Sequence, residues 1–178
     1  MEKEEAKPVS ESKTVISQLM MPTDANPAGN VHGGTIMQLI DQCGAIVASR
    51  HSHKNCVTAS VDRIDFLNPA YIGNVVILKG ALNYVGRTSM EVGVHVEDEC
   101  LITGKKAHIA SAYVTYVALD DDDNPTEIPQ LIPETEEEKR RFREAQERRE
   151  KRLERVPEDV EGKKGICVPR PSTLKQRD

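Results

Sequence analysis

Between Gly33 and Arg50 the apolar residues Ile36, Leu39, Ile40, Cys43, Ile46 and Val47 recur at helical spacing, and after that stretch the period changes. From Asn55 to Phe66, Val57, Ala59 and Val61 alternate with Thr58, Ser60 and Asp62, the pattern of a half-buried strand. Asn74–Val85, Ser89–Glu97 and Lys105–Leu119 read as further strands, and Thr14–Met21 as another, ended by Pro22. Gly86-Arg87-Thr88 predicts a hairpin turn. One apolar helix against an antiparallel sheet of about five strands is an α+β layer architecture.

The 178 residues predict one domain with an appendage. Of the 29 Val and Ile, 22 fall within 14–119, whereas 134–155 holds eight acidic and nine basic residues. The expected division is a flexible leader over 1–13, a core domain over 14–133, a charged C-terminal helix over 134–156 and a disordered tail over 157–178. In the charged helix, Thr135 and Glu138 have capping-box spacing, and Glu136–Arg140, Glu137–Arg141, Glu144–Arg148 and Glu147–Lys151 are i,i+4 pairs. Only Phe142, Ala145 and Leu153 give it an apolar edge, so light docking on the domain or on a neighbouring subunit is expected.

Residues 14–133 carry 13 acidic and 7 basic side chains, which argues against a nucleic-acid partner and requires local cations for any phosphate-bearing ligand. Cys43, Cys56, Cys100 and Cys167 form no CxxC, and His51, His53 and Cys56 match no four-ligand spacing, so reduced thiols and no metal are expected. The N-terminus has no apolar signal core, and the apolar stretch at 36–48 is broken by Gln38, Asp41 and Gln42 and is too short for a bilayer. A cytoplasmic protein without membrane insertion is the expectation.

On a helical projection Ile36, Ile40, Cys43 and Val47 form the stripe that faces the sheet, while Gly34, Asp41, Ala45 and Ala48 lie opposite. With so few positions left for water, a carboxylate at Asp41 needs an explanation. It is either solvated at a subunit boundary or a general base or nucleophile in a partly desolvated cleft. Gly33-Gly34 at the helix start leaves amides unpaired at the positive end of the dipole, suited to a developing oxyanion. Asp41 lies two turns past Gly34, on the same side.

The run Asn26-Pro-Ala-Gly-Asn-Val-His-Gly-Gly-Thr-Ile-Met-Gln-Leu-Ile-Asp41 resembles the opening motif of hotdog acyl-CoA thioesterases, the cytosolic (brain) acyl-CoA hydrolase group and its bacterial single-domain relatives. Arg50-His51, Val57–Asp62 and Ile128–Thr135 resemble further segments of that family, from about Thr14 to Leu153. The resemblance implies a single hotdog domain, a sheet wrapped around one long helix, paired with a second hotdog. It implies hydrolysis of fatty acyl-CoA to free acid and CoA, with Asp41 and Asn30 as catalytic residues contributed from opposite hotdogs. It also implies Gly33 and Gly34 amides at the oxyanion, and Arg87, Thr88 and Ser89 at the CoA phosphates or pantetheine. A homodimer assembling into a hexamer, a trimer of dimers, is the implied partner state, with CoA as part of substrate and product and no separate cofactor. A non-catalytic acyl-CoA sensor on the same fold is the alternative. A hotdog dehydratase using His32 is disfavoured by Asn30 and by the spacing to Asp41.

Overall fold

The computed structural model describes residues 5–154, and its elements follow the two periods of the sequence. In chain order they are β1 (Lys7–Pro8), β2 (Thr14–Leu19), α1 (Gly33–Ser52), β3 (Asn55–Phe66), β4 (Val75–Val85), β5 (Ser89–Glu99), β6 (Lys106–Leu119), β7 (Leu131–Ile132) and α2 (Glu136–Glu154). The large sheet is antiparallel in the order β2-β4-β5-β6-β3. Hairpins β4–β5 and β5–β6 make its centre, and β2 and β3 are its edges. This is the α+β architecture of the hotdog fold, one helix seated on a five-stranded sheet.

The inner face of the sheet is built from the alternate residues of its central strands, among them Val76, Leu78, Val92, Val94 and Val114, all buried. Against them lie Ile36, Leu39, Ile40, Cys43 and Val47 of α1, the stripe expected from the periodicity. Two glycines set how closely helix and sheet meet. A Cβ at Gly80 would lie 2.8 Å from Cys43 Sγ, and one at Gly44 would lie 2.8 Å from Tyr116 Cζ. The helix is capped at its start by His32, whose Nδ1 accepts from the Gly34 amide at 2.9 Å. It runs past Arg50 because His51 and Ser52 are themselves buried, and ends at His53 in the left-handed region (φ 50°).

One expectation for α1 fails. The flank bearing Met37, Asp41, Gln42 and Ile46 is exposed, with Ile46 outside the buried stripe. The sheet covers one side of the helix, and nothing else among the described residues reaches the other.

The leader is also corrected in its described part. Lys7–Pro8 pairs in parallel with Leu131–Ile132, the Lys7 amide donates to Gln130 O, and Val9 is 1% exposed. Charged neighbours hide Val9 in the sequence, and the strand pairing just before it joins residues more than a hundred positions apart. Residues 1–4 and the tail expected from 157 lie outside the described residues.

Helix α2 covers the outer face of the sheet and is held more firmly than its composition indicates. Ala145 is fully buried, and the Phe142 ring packs on Tyr84 with centroids 5.0 Å apart. Arg148 donates to both carboxylate oxygens of Glu91, at 2.7 and 3.1 Å, and its guanidinium stacks 4.0 Å above the Tyr113 ring. Asn83 Nδ2 donates to the same carboxylate at 3.0 Å. Arg152 pairs with Asp62 of β3 and donates to Thr115 Oγ1 at 2.8 Å. Glu91 is only 3% exposed, so removing its guanidinium strands a buried charge. Arg148→Ala is expected to cost about 3 kcal/mol in urea unfolding. Arg140→Ala, whose partners Glu137 and Glu144 are surface carboxylates, barely moves the midpoint.

His51 ties α1 to β1 and to the segment that leads into β7. Its Nε2 lies 2.8 Å from Pro129 O, so that nitrogen carries the proton, and its carbonyl accepts from Lys7 Nζ at 2.9 Å. Nδ1 is buried and has no partner among the described residues. Burial lowers the His51 pKa, opposed by the Pro129 carbonyl. A depressed His contributes nothing while neutral in both folded and unfolded chains; as pH falls through the unfolded value of about 6.5, the unfolded chain takes up the proton first. Stability is therefore lost from about pH 6.5 downward to the folded pKa. Thermal unfolding between about pH 7.5 and 5.5 is expected to show a smaller decline for His51→Gln, which keeps the bond to Pro129, than for the native chain.

Candidate active site

Asp41 lies on the exposed flank of α1, and two strands supply its partners. Thr58 of β3 stands opposite Tyr116 of β6 in the sheet register. Thr58 Oγ1 donates to Asp41 Oδ1 at 2.5 Å, and the Tyr116 hydroxyl lies 2.9 Å from the Asp41 main-chain oxygen and 3.3 Å from Oδ1. Oδ2 accepts no hydrogen bond from the described residues. Tyr116 is fully buried; desolvation, followed by the Asp41 charge, pushes its pKa up, so the phenol keeps its proton and remains a donor. One oxygen of the carboxylate is thus held and the other is presented outward, the arrangement a base or nucleophile requires.

Asn30 occupies a different place. Its loop is closed by Asn26, whose amide donates to Asn30 O at 2.7 Å and whose Oδ1 accepts from Asn30 N at 3.2 Å. Asn30 and Gly33 line an open cleft of about 360 Å³ together with Phe66, Leu67, Asn68 and Ile109. The Gly33 amide has no hydrogen-bond partner among the described residues. The Gly34 amide, expected beside it at the oxyanion, is instead taken up by the His32 ring. The donor available at this helix end is therefore Gly33 alone.

The structure does not bring Asn30 and Asp41 together within one chain. Asp41 meets the start of β3 at Thr58, whereas the Asn30 cleft is closed by Phe66 at its end. Those strand positions are roughly 25 Å apart at about 3.3 Å per residue.

The hairpin of Arg87, Thr88 and Ser89 lies at the Asp41 end of the sheet, since Met90 pairs with Tyr116 and Ser89 with Val117. Its carbonyls are tied down: Thr88 O accepts from Ala118 N, and Arg87 O from Ile128 N. The Arg87 side chain is 80% exposed and only loosely paired with Glu127 at 3.6 Å, so its guanidinium is free to meet an anion.

Sequence reasoning missed Thr58, Tyr116 and Gly44. Thr58 lay within the family-like segment Val57–Asp62, but Tyr116 is 75 residues from Asp41 and carries no local signal. Among the described residues no three His, Cys, Asp or Glu side chains cluster to hold a metal ion, and no helix is long and apolar enough to cross a membrane.

Residues 28–102 match the family model described as the thioesterase superfamily. The chain is 41% identical over 138 residues to an uncharacterised acyl-CoA thioester hydrolase, YkhA, of Bacillus subtilis (strain 168), covering 78% of this chain and 80% of that one. This chain belongs to the thioesterase superfamily. It is also 41% identical over 142 residues to the cytosolic acyl coenzyme A thioester hydrolase of Rattus norvegicus, covering 79% of this chain but only 37% of the rat protein. It thus spans little more than a third of that hydrolase.

Solved structures of the family superpose closely. An apo-hexameric acyl-CoA thioesterase has a TM-score of 0.82 at 38% identity, over 85% of this chain and 97% of its own. An acyl-CoA hydrolase from Staphylococcus aureus, solved with butyryl coenzyme A, coenzyme A and coenzyme A disulfide, has a TM-score of 0.79 at 37% identity, over 84% of this chain and 92% of its own.

The Asp41 partners depend on the notch at Gly44. Gly44→Ala would drive a methyl into the buried Tyr116 ring, and a loss of about 2 kcal/mol in urea unfolding is expected.

Proposed function

We propose that this chain hydrolyses the thioester of fatty acyl-CoA to free acid and CoA, at sites that a second copy of the chain completes. The observation that carries this is the Asp41 carboxylate, whose Oδ1 is held by two hydroxyls while Oδ2 is left free. Oδ2 takes a proton from water as the oxygen of that water attacks the thioester carbonyl carbon; the C–S bond then breaks and the proton passes to the CoA sulfur. Direct attack by Oδ2 uses the same oxygen: the C–S bond breaks, CoA leaves as the thiolate, and water then hydrolyses the mixed anhydride to the free acid and the Asp41 carboxylate. Asn30 orients the carbonyl or the water, and the Gly33 amide at the positive end of α1 stabilises the oxyanion. Gly34 supports this end by fixing the His32 cap. Arg87, with Thr88 and Ser89, receives the CoA phosphates or pantetheine.

The need for a second copy is supported by the edge strand. β3 is long, has an unpaired edge, and is accompanied by exposed Val61, Phe66, Leu67 and Tyr71. Two β3 strands joined antiparallel about a two-fold axis near Asp62 would set Thr58 of each copy beside Phe66 of the other. That brings each Asp41 to the Asn30 cleft of its partner and covers the exposed flank of α1. Assembly of three such dimers into a hexamer is supported by the hexameric thioesterase that this chain resembles. A cytosolic setting agrees with the name of the rat relative.

CoA release from a panel of acyl-CoAs tests the proposal. Asp41→Asn and Asn30→Ala are each expected to lose on the order of a hundredfold or more in kcat. Refolding equal amounts of the two variants together is expected to restore about a quarter of native activity, since half the dimers would be mixed and each would hold one intact site. Native rates in both single variants would defeat the site assignment, and tight acyl-CoA binding without turnover by the native chain would replace hydrolysis by sensing.

A further inference from the structure

We infer that Tyr116 is a positioning residue for Asp41, holding the carboxylate so that Oδ2 and not Oδ1 meets the substrate. This rests on the hydrolase reading of the Asp41 site and adds to it a residue that no substrate can touch, because Tyr116 is fully buried. Its hydroxyl is the unusual feature. The core around it is aliphatic, the ring enters a notch that only a glycine at position 44 leaves open, and the hydroxyl then reaches the Asp41 main-chain oxygen and Oδ1 together. The carbonyl does not need this donor, since a helical carbonyl already accepts from the amide four residues on. A phenylalanine would fill nearly the same space. What the hydroxyl adds is a second donor on Oδ1.

One donor would leave a carboxylate free to turn about its last torsion, because that torsion is broad for Asp. Thr58 and Tyr116 approach Oδ1 from neighbouring strands, at positions paired in the register, and together they fix its plane. The two come from different parts of the fold. Thr58 lies on the exposed edge strand, whereas Tyr116 lies on β6 inside the sheet, so the inner donor is in place before any partner arrives. Cys43 on α1 is the other titratable neighbour, and burial pushes its thiol up to about 11, which keeps it neutral across the working range.

The test is Tyr116→Phe in the full chain, measured for kcat, KM and the pH dependence of kcat, with Asp41→Asn assayed alongside. A fall in kcat of about tenfold with KM unchanged is expected, as for one hydrogen bond to a charged group. The acidic limb of the profile should move to higher pH, because a donor to the ionised form has been removed. A folded Tyr116→Phe with native kcat and an unmoved limb overturns the inference. Should that variant not fold, 3-fluorotyrosine is placed at 116 in a chain whose Tyr71, Tyr84 and Tyr113 are Phe. The hydroxyl is then kept but made a stronger donor, and the acidic limb should move to lower pH; a stationary limb overturns the inference equally. An active Asp41→Asn would remove the hydrolase reading itself, whereas an inactive one beside unaffected Tyr116 variants would remove only the positioning role.

Discussion

Where α1 crosses the sheet, Cys43 occupies the space that a side chain at Gly80 would fill, and the Tyr116 ring occupies the space beside Gly44. This close approach governs much else in the structure. It buries the apolar stripe of the helix against the central strands with Tyr116 as the one large aromatic side chain among the buried core residues described, in a chain that hardly possesses any. It also brings a strand hydroxyl within reach of a carboxylate on the far flank of the helix. A slightly wider gap would leave the core underpacked and Asp41 untethered, because interiors at crystal-like density leave no slack to absorb the change.

The two faces of the sheet solve different problems. The inner face is aliphatic and non-directional, and many residue combinations of similar volume would serve it. The outer face carries Glu91, Asn83 and Thr115, polar groups that a bare apolar helix could not cover without leaving them unpaired. Helix α2 answers with Arg148 and Arg152 over those groups and with Ala145 and Phe142 between them. Its strongly charged composition is thus partly a sheet-facing feature. The remaining charges pair along the helix and face water, where they contribute little.

What was legible in the sequence had short reach along the chain. The hairpin at Gly86–Ser89 is a turn between near neighbours, and the period change after α1 and the limits of β3 are written in local alternation of residue types. The order of the leader could not be read this way, since Lys7–Pro8 pairs with Leu131–Ile132, far along the chain. Nor could the firmness of α2 be read from its i,i+4 pairs, because its anchors, Glu91 and Asp62, lie 57 and 90 residues away. Asp41 stood out as an unusual carboxylate on an apolar helix. Its expected enclosure was not found, because the described residues supply only one wall around α1.

By itself, then, the sequence determined the two helices and the five strands of the large sheet with their order, the helix stripe that meets the sheet, and the unusual position of the Asp41 carboxylate on an apolar helix. These follow from periodicity and turn chemistry, which act over a few residues. Tertiary structure alone decided which oxygen of Asp41 is held and by whom, that the Gly34 amide serves the helix cap and leaves Gly33 free, and that Asn30 and Asp41 stand at opposite ends of β3. Those outcomes depend on strand register and on the depth at which a helix sits. Both are set by the packing of the whole core, to which residues far apart in the chain contribute together.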